Sequence, residues 1–198
     1  MAPGRLIAFE GLDQSGKQTQ AEALVAALGR AGRVVQTLSF PDYATTIGAE
    51  IGAALQGGRP YGPDVLQLLY IANRYEYAPR IRAWLDDGAV VVADRYAASS
   101  IAYGEAQGLD VAWLADVQRH LPPADLTILL DIAPETSLAR KQVARDRFER
   151  DLPLLSRVRD SYTRQAAGAG WLALDGTRTA ADVHADVVSA VGTRLALL

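Results

Sequence analysis

The sequence predicts a doubly wound α/β fold, a parallel five-stranded sheet with helices on both faces, and two observations carry that expectation. Short apolar runs recur at Leu6–Phe9, Val34–Leu38, Ala89–Ala93, Leu126–Leu130 and Trp171–Leu174. None alternates in polarity, which suits strands buried on both faces. Between them lie amphipathic segments of helical length, at Gln18–Ala31, Pro63–Leu85, Pro134–Ala144, about Leu152 to Ala167, and Ala180 to the C-terminus. Strand and helix in strict alternation imply parallel crossovers. A ligand in such a sheet sits beyond the carboxyl ends of the strands. Those ends carry Glu10-Gly11, Phe40-Pro41, Asp94-Arg95, Asp131 and Asp175-Gly176, so charge gathers where a site is expected.

The first strand runs directly into Gly11-Leu12-Asp13-Gln14-Ser15-Gly16-Lys17-Gln18-Thr19, ahead of the first helix. Gly11 and Gly16-Lys17 have the spacing of a glycine-rich phosphate loop (P-loop), where strand turns sharply into helix. Successive backbone N–H groups then face a phosphate chain, aided by the positive helix end. Glycine is required because a side chain would block the turn and the approach of oxygen. Lys17 and Lys141 are the only lysines in a chain that otherwise uses arginine, so a compact ammonium at Lys17 is read as a demand of the site. The Ser or Thr that ordinarily follows the lysine and ligates magnesium is Gln18 here. The metal is therefore expected to rest on phosphates and carboxylates, an amide oxygen being the weaker ligand.

Ser39-Phe40-Pro41-Asp42-Tyr43 turns the chain after the second strand, and Phe40-Pro41 is expected to be trans on the general rarity of cis bonds. Pro79 should kink or end the long third segment near Ala78. After the third strand, Asp94 places a carboxylate where a metal-phosphate site would use it. Asp94 and Arg95 also read as a self-contained salt bridge. Arg95, Ser99 and Tyr103 are spaced by four and are expected to share one helix face. His120 and His184 lie outside every motif.

Five stretches in order make the pattern selective: Phe9-Glu10-Gly11-Leu12-Asp13…Gly16-Lys17, Phe40-Pro41-Asp42-Tyr43, Leu69-Tyr70-Ile71-Ala72-Asn73-Arg74, Asp94-Arg95-Tyr96-Ala97-Ala98-Ser99…Tyr103, and Asp146-Arg147-Phe148-Glu149. Together they resemble the thymidylate kinases, which phosphorylate dTMP to dTDP with ATP and Mg2+. The resemblance implies a single domain over residues 1–198 with a short lid at about 140–150. It implies that Gly11 to Thr19 bind ATP with Arg140 against adenine, and that Tyr70 stacks on thymine while Arg74 reads a carbonyl. Arg95 would take the acceptor phosphate with help from Tyr43 beside Phe40. Ser99 and Ser100 would meet the base, Tyr103 would crowd the 2′ position, and Asp13 would sit near the dTMP sugar and phosphate. Gln14 stands where some family members carry a loop arginine, so transition-state charge is expected from Arg145 and Arg147 in the lid. Asp94, Glu149 and Asp13 are the candidate magnesium residues, directly or through water. Asp42 departs from the arginine that many relatives place near this point, which shifts weight to Arg95 and Tyr43. The resemblance also implies a homodimer.

Composition bounds the remainder. With 198 residues the chain can bury a core unaided, and with no cysteine it has neither disulfides nor thiolate metal ligands. No apolar run spans a bilayer and no secretory pattern is visible, so cytoplasm is the expected location. A net charge of −3 gives no field to attract nucleic acid. Two other readings stand beside the first. A deoxynucleoside kinase would need a carboxylate base near the sugar 5′ hydroxyl, and Glu10 is the residue able to serve. A non-catalytic nucleotide switch would need an Asn/Thr-Lys-x-Asp base motif, which neither lysine provides.

Overall fold

The computed structural model describes residues 3–140 and 151–198. Its five strands are β1 (Arg5–Glu10), β2 (Val35–Ser39), β3 (Val90–Asp94), β4 (Leu126–Asp131) and β5 (Trp171–Asp175). They form one parallel sheet in the order β2-β3-β1-β4-β5. The order reverses at β1, so a crevice opens at its carboxyl end between β3 and β4. Phe9 pairs in register with Asp94, and Glu10 with Leu129, which brings the acids to one rim.

Because successive strand side chains point to opposite faces, β1 contributes to two cores. Ile7 and Phe9 pack with Leu24 and Leu28 of α1 (Lys17–Arg30) and with Val187 and Val191 of α9 (Ala180–Leu195). Leu6 and Ala8 face the other way, against Ile81 of α4 (Ala78–Asp86) and Tyr96. On that side α5 (Ala97–Ala106) and α8 (Leu152–Gln165) close a third cluster around Leu12, Ala102, Leu129, Leu155, Val158 and Tyr162. Each fully buried Leu, Ile, Val or Phe contributes about 1.5–3 kcal/mol, and β1 supplies several of them without a polar interruption. That explains the unalternating strand pattern.

Four helices remain among the described residues. They are α2 (Thr46–Leu55), α3 (Pro63–Tyr75), α6 (Val111–Gln118) and α7 (Pro134–Arg140). The long third segment is two helices. The break falls at Glu76-Tyr77, and Pro79 sits in the first turn of α4, where its missing N–H leaves no helix bond unmade. Helix α2 is not among the sequence-expected elements. Thr45 caps α2 by accepting from the Gly48 N–H at 3.0 Å, and Asp110 caps α6 by accepting from the Trp113 N–H at 2.6 Å. The glycine and alanine content of α2 dilutes its amphipathic signal. Phe40-Pro41 is cis, against the expectation of trans.

Gly48 allows α2 to lie directly on the Asp42 backbone: a Cβ at this position would stand 1.7 Å from the Asp42 carbonyl oxygen. In an open helix Gly→Ala stabilises by up to about 1 kcal/mol. Here Gly48→Ala should instead cost about 1–3 kcal/mol, read as a lower urea midpoint with unchanged slope. A raised midpoint would refute this packing.

Candidate active site

β1 ends in the glycine-rich turn because the chain must reverse against β4. Gly11 has φ +138°, and a Cβ there would meet the Leu130 carbonyl oxygen at 2.5 Å. Gln14 and Gly16 also take positive φ, and Gly16 is the residue at the start of α1. The loop is tied from outside as well. Ser137 Oγ donates to the Asp13 carbonyl at 2.7 Å, while Arg140 Nη1 donates to the carbonyls of Gln14 at 3.0 Å and Gly176 at 3.1 Å. Lys17 is buried, with Nζ donating to the Leu12 carbonyl at 2.8 Å. Burial, and next the Arg95 guanidinium, lowers this ammonium to about 8; Asp13, Asp94 and Glu10 pull the other way. The result is an amide-lined turn with a buried cation beneath it, an arrangement able to hold a phosphate chain.

Beside it lies a hub built on Glu10, which is fully buried. One carboxylate oxygen accepts from the backbone N–H groups of Tyr96 at 2.8 Å and Ser99 at 3.2 Å. The other accepts from the hydroxyls of Ser99 at 2.6 Å and Tyr162 at 2.9 Å. With both oxygens engaged, Glu10 has no lone pair directed at a sugar hydroxyl, which removes the base that the deoxynucleoside kinase reading needs. Arg95 stands just outside α5, at φ +63°, rather than on the helix as its spacing suggests. It nonetheless reaches the expected partners: Nη1 donates to Ser99 Oγ at 3.2 Å, and the guanidinium lies 5.5 Å from the centre of the Tyr103 ring. Its ion pair is with Asp13, at 2.7 Å, and not with the adjacent Asp94.

A fully buried guanidinium lies on α3. Arg74 is 2% exposed; Nη1 donates to Ser100 Oγ at 2.7 Å, and the group sits 5.9 Å from the Phe40 ring centre. Burial pulls its pKa down, but an arginine stays charged. Its Nε is buried with no hydrogen-bond partner, a donor suited to a carbonyl acceptor. Both serines, at 5% and 1% exposure, are interior residues, not helix surface. Tyr70 is half-buried on the α2–α3 side with Ile51 and Leu66, and Tyr43 is exposed near Gly52. Asp42 is occupied in the turn, accepting from the Tyr77 hydroxyl and, at 2.9 Å, from the Ala44 N–H; these bonds hold its carboxyl below the usual range.

The sequence model of the thymidylate kinase family matches residues 9–187. The chain belongs to that family. It is 35% identical to the thymidylate kinase of Schizosaccharomyces pombe over 193 residues, 95% of this chain and 91% of that one. It is 32% identical to the Danio rerio thymidylate kinase over 186 residues, covering 93% and 88% respectively. Among solved structures, the Candida albicans thymidylate kinase superposes with a TM-score of 0.85 at 27% identity, over 100% of this chain and 95% of that one. A P-loop parallel sheet is the fold this family shares with the chain.

The metal implied by the family finds a limited protein donor set. Among the described residues no three His, Cys, Asp or Glu side chains gather as a cation site. Asp94 Oδ1 and Ser15 Oγ, however, are buried with no hydrogen-bond partner at the rim of the loop. Gln18 is turned along α1, its amide nitrogen donating to Glu22 at 2.9 Å, and Thr19 is exposed. The residues present fit a magnesium held by one carboxylate and completed by phosphate and water. Glu149, Arg145 and Arg147 lie outside the described residues.

Three contributors have no sequence signal. Tyr162 reaches the hub from α8, far along the chain. Asn73, inside a quoted motif but given no role there, accepts from the Asp42 N–H at 2.8 Å and donates to Thr45 Oγ1 and Glu76 Oε2, each at 2.9 Å. Arg159 grips Asp131 at the end of β4 through two bonds of 2.7 Å.

Proposed function

We propose that this chain transfers the γ-phosphoryl group of ATP to dTMP, giving dTDP, with Mg2+ bound during turnover. The observation that carries the reading is a set of three cations, one ammonium and two guanidiniums, each held in a different setting. Lys17 lies under the amide loop, Arg95 opens from the Asp13–Glu10 hub, and Arg74 carries an unpartnered buried Nε. One suits the donor phosphates, one the acceptor phosphate and one the base.

In this reading Gly11 to Thr19 hold the ATP phosphates through main-chain N–H groups, and Lys17 supplies the charge toward the β- and γ-phosphates. Arg140, already fixed to Gln14 and Gly176, lies on the adenine side. Arg95 presents a guanidinium edge to the dTMP phosphate and holds its oxygen in line with the γ-phosphorus. Arg74 donates to a thymine carbonyl, Ser100 and Ser99 complete the polar edge, and Tyr70 offers a ring to the base. Tyr103, packed on Arg95, borders the sugar, and Phe40 and Tyr43 border the phosphate turn. No general base is needed, since a phosphate monoester is already ionised at neutral pH. Asp94 would hold magnesium, which supplies neutralisation of the phosphate oxygens when bound. Arg145 and Arg147 are assigned the transition-state charge because Gln14 cannot provide it, and Glu149 a water-mediated metal contact.

We further propose one domain over 1–198 with a lid at about 140–150, and a homodimer formed by the exposed apolar residues Val65 and Leu68 of α3 and Val111 of α6. No helix among the described residues is long and apolar enough to cross a membrane, and we assign the chain to the cytoplasm.

A coupled assay offering ATP-magnesium with each nucleoside monophosphate, and with thymidine, tests the reaction. Turnover of dTMP and none of thymidine is expected; turnover of thymidine alone would overturn the proposal. Arg95→Ala should lower kcat/KM for dTMP by roughly a hundredfold while the ATP Kd changes little. Equal loss of both would contradict its acceptor role. The lowered Lys17 ammonium adds a pH signature. It is charged below about 8 and neutral above, so kcat/KM for ATP should fall as pH rises through about 8 in the free enzyme. A profile flat through pH 10 would contradict it.

A further inference from the structure

We infer that Tyr162 is a positioning residue for Arg95, and that its hydroxyl decides which guanidinium edge faces the acceptor phosphate. The inference rests on the proposed acceptor role of Arg95. A guanidinium has five N–H bonds. Arg95 Nη1 spends its pair on two hydroxyls, Ser99 Oγ at 3.2 Å and Tyr162 at 3.3 Å. Nη2 spends one on Asp13 Oδ1 at 2.7 Å. What remains is the Nε–H and the second Nη2 hydrogen, which together form a bidentate edge matched to phosphate.

The two hydroxyls are held in turn. Each lies within donating distance of the same Glu10 oxygen, Ser99 at 2.6 Å and Tyr162 at 2.9 Å, and they are 2.9 Å from each other. By donating to the carboxylate, both turn their lone pairs toward Arg95. Glu10 is thereby a counter-ion at one remove, and the guanidinium keeps its free edge instead of folding onto the acid directly. Ser99 shares α5 with Ser100 and Tyr103. Tyr162 is the strut from outside, and its ring is seated among Leu12, Ala102, Leu155 and Val158. Burial, then the Glu10 charge, holds its phenol well above the ordinary range, so the proton needed for this arrangement is present throughout neutral pH.

Tyr162→Phe removes the hydroxyl and keeps the ring. It should raise the KM for dTMP about tenfold and leave the KM for ATP unchanged. Because thymidine lacks the phosphate, its affinity should not move, so the ratio of dTMP Kd to thymidine Kd should rise by the same factor. That ratio is read from the folded fraction alone and holds even in a destabilised variant. In an Arg95→Ala background the Tyr162→Phe effect should vanish, since the strut would have nothing to position. An unchanged ratio, or an effect that persists in the Arg95→Ala background, would overturn the inference and leave the proposed reaction standing. If Arg95→Ala alone left the dTMP KM unaltered, the acceptor reading itself would fail, and with it this inference.

Discussion

The structure depends on one buried carboxylate. Glu10 ends the central strand with no exposure to water, a placement that would cost several kcal/mol for an unpaired charge. Four donors meet it, two of them backbone amides at the start of α5. An acid at a helix N-terminus is favourable. This one therefore joins β1, the β3–α5 turn and α8 at a single point. The turn between them has little freedom left: Arg95 adopts left-handed backbone, and its N–H donates to the Phe9 carbonyl at 2.9 Å.

From that point the two halves of the rim diverge. On the β1–α1 side the groups proposed to meet phosphate are amides, fixed by glycine conformations and by the carbonyl of Leu130 standing where a side chain would be. On the β3–α5 side the proposed phosphate-binding group is the Arg95 guanidinium, which needs orientation by other groups. Asp13 belongs to both. Its carbonyl is held by Ser137 and its carboxylate holds Arg95, so a displacement of the donor loop is felt at the acceptor cation. Coupling of this sort suits a reaction whose catalysis is mostly positioning and charge neutralisation.

Much of this was legible in the chain. Apolar runs located all five strands, most plainly the central β1, β3 and β4, which are covered on both faces, and the glycine spacing located the loop because a tight turn admits few residues. Arg95, Ser99 and Tyr103 met as their spacing suggested, although Arg95 reaches its partners from a strained turn and not from a helix face. What escaped is long-range. Arg95 pairs with Asp13 from the phosphate loop, and the alternative of a local bridge to Asp94 is not the one adopted. Nothing near Tyr162 signals that its hydroxyl ends beside Glu10. Helix α2 was hidden by its small residues, of which Gly48 lets it approach the Asp42 backbone.

The central claim is that a guanidinium edge, freed by Glu10 through two hydroxyls, takes the acceptor phosphate opposite the amide loop. A crystal structure with dTMP and a non-hydrolysable ATP analogue measures this directly. The account predicts the monophosphate on Arg95 Nε and Nη2, thymine at Arg74 and Tyr70, and the triphosphate over Gly11 to Lys17. A monophosphate bound away from Arg95, or Glu10 turned out to contact the sugar, would contradict it.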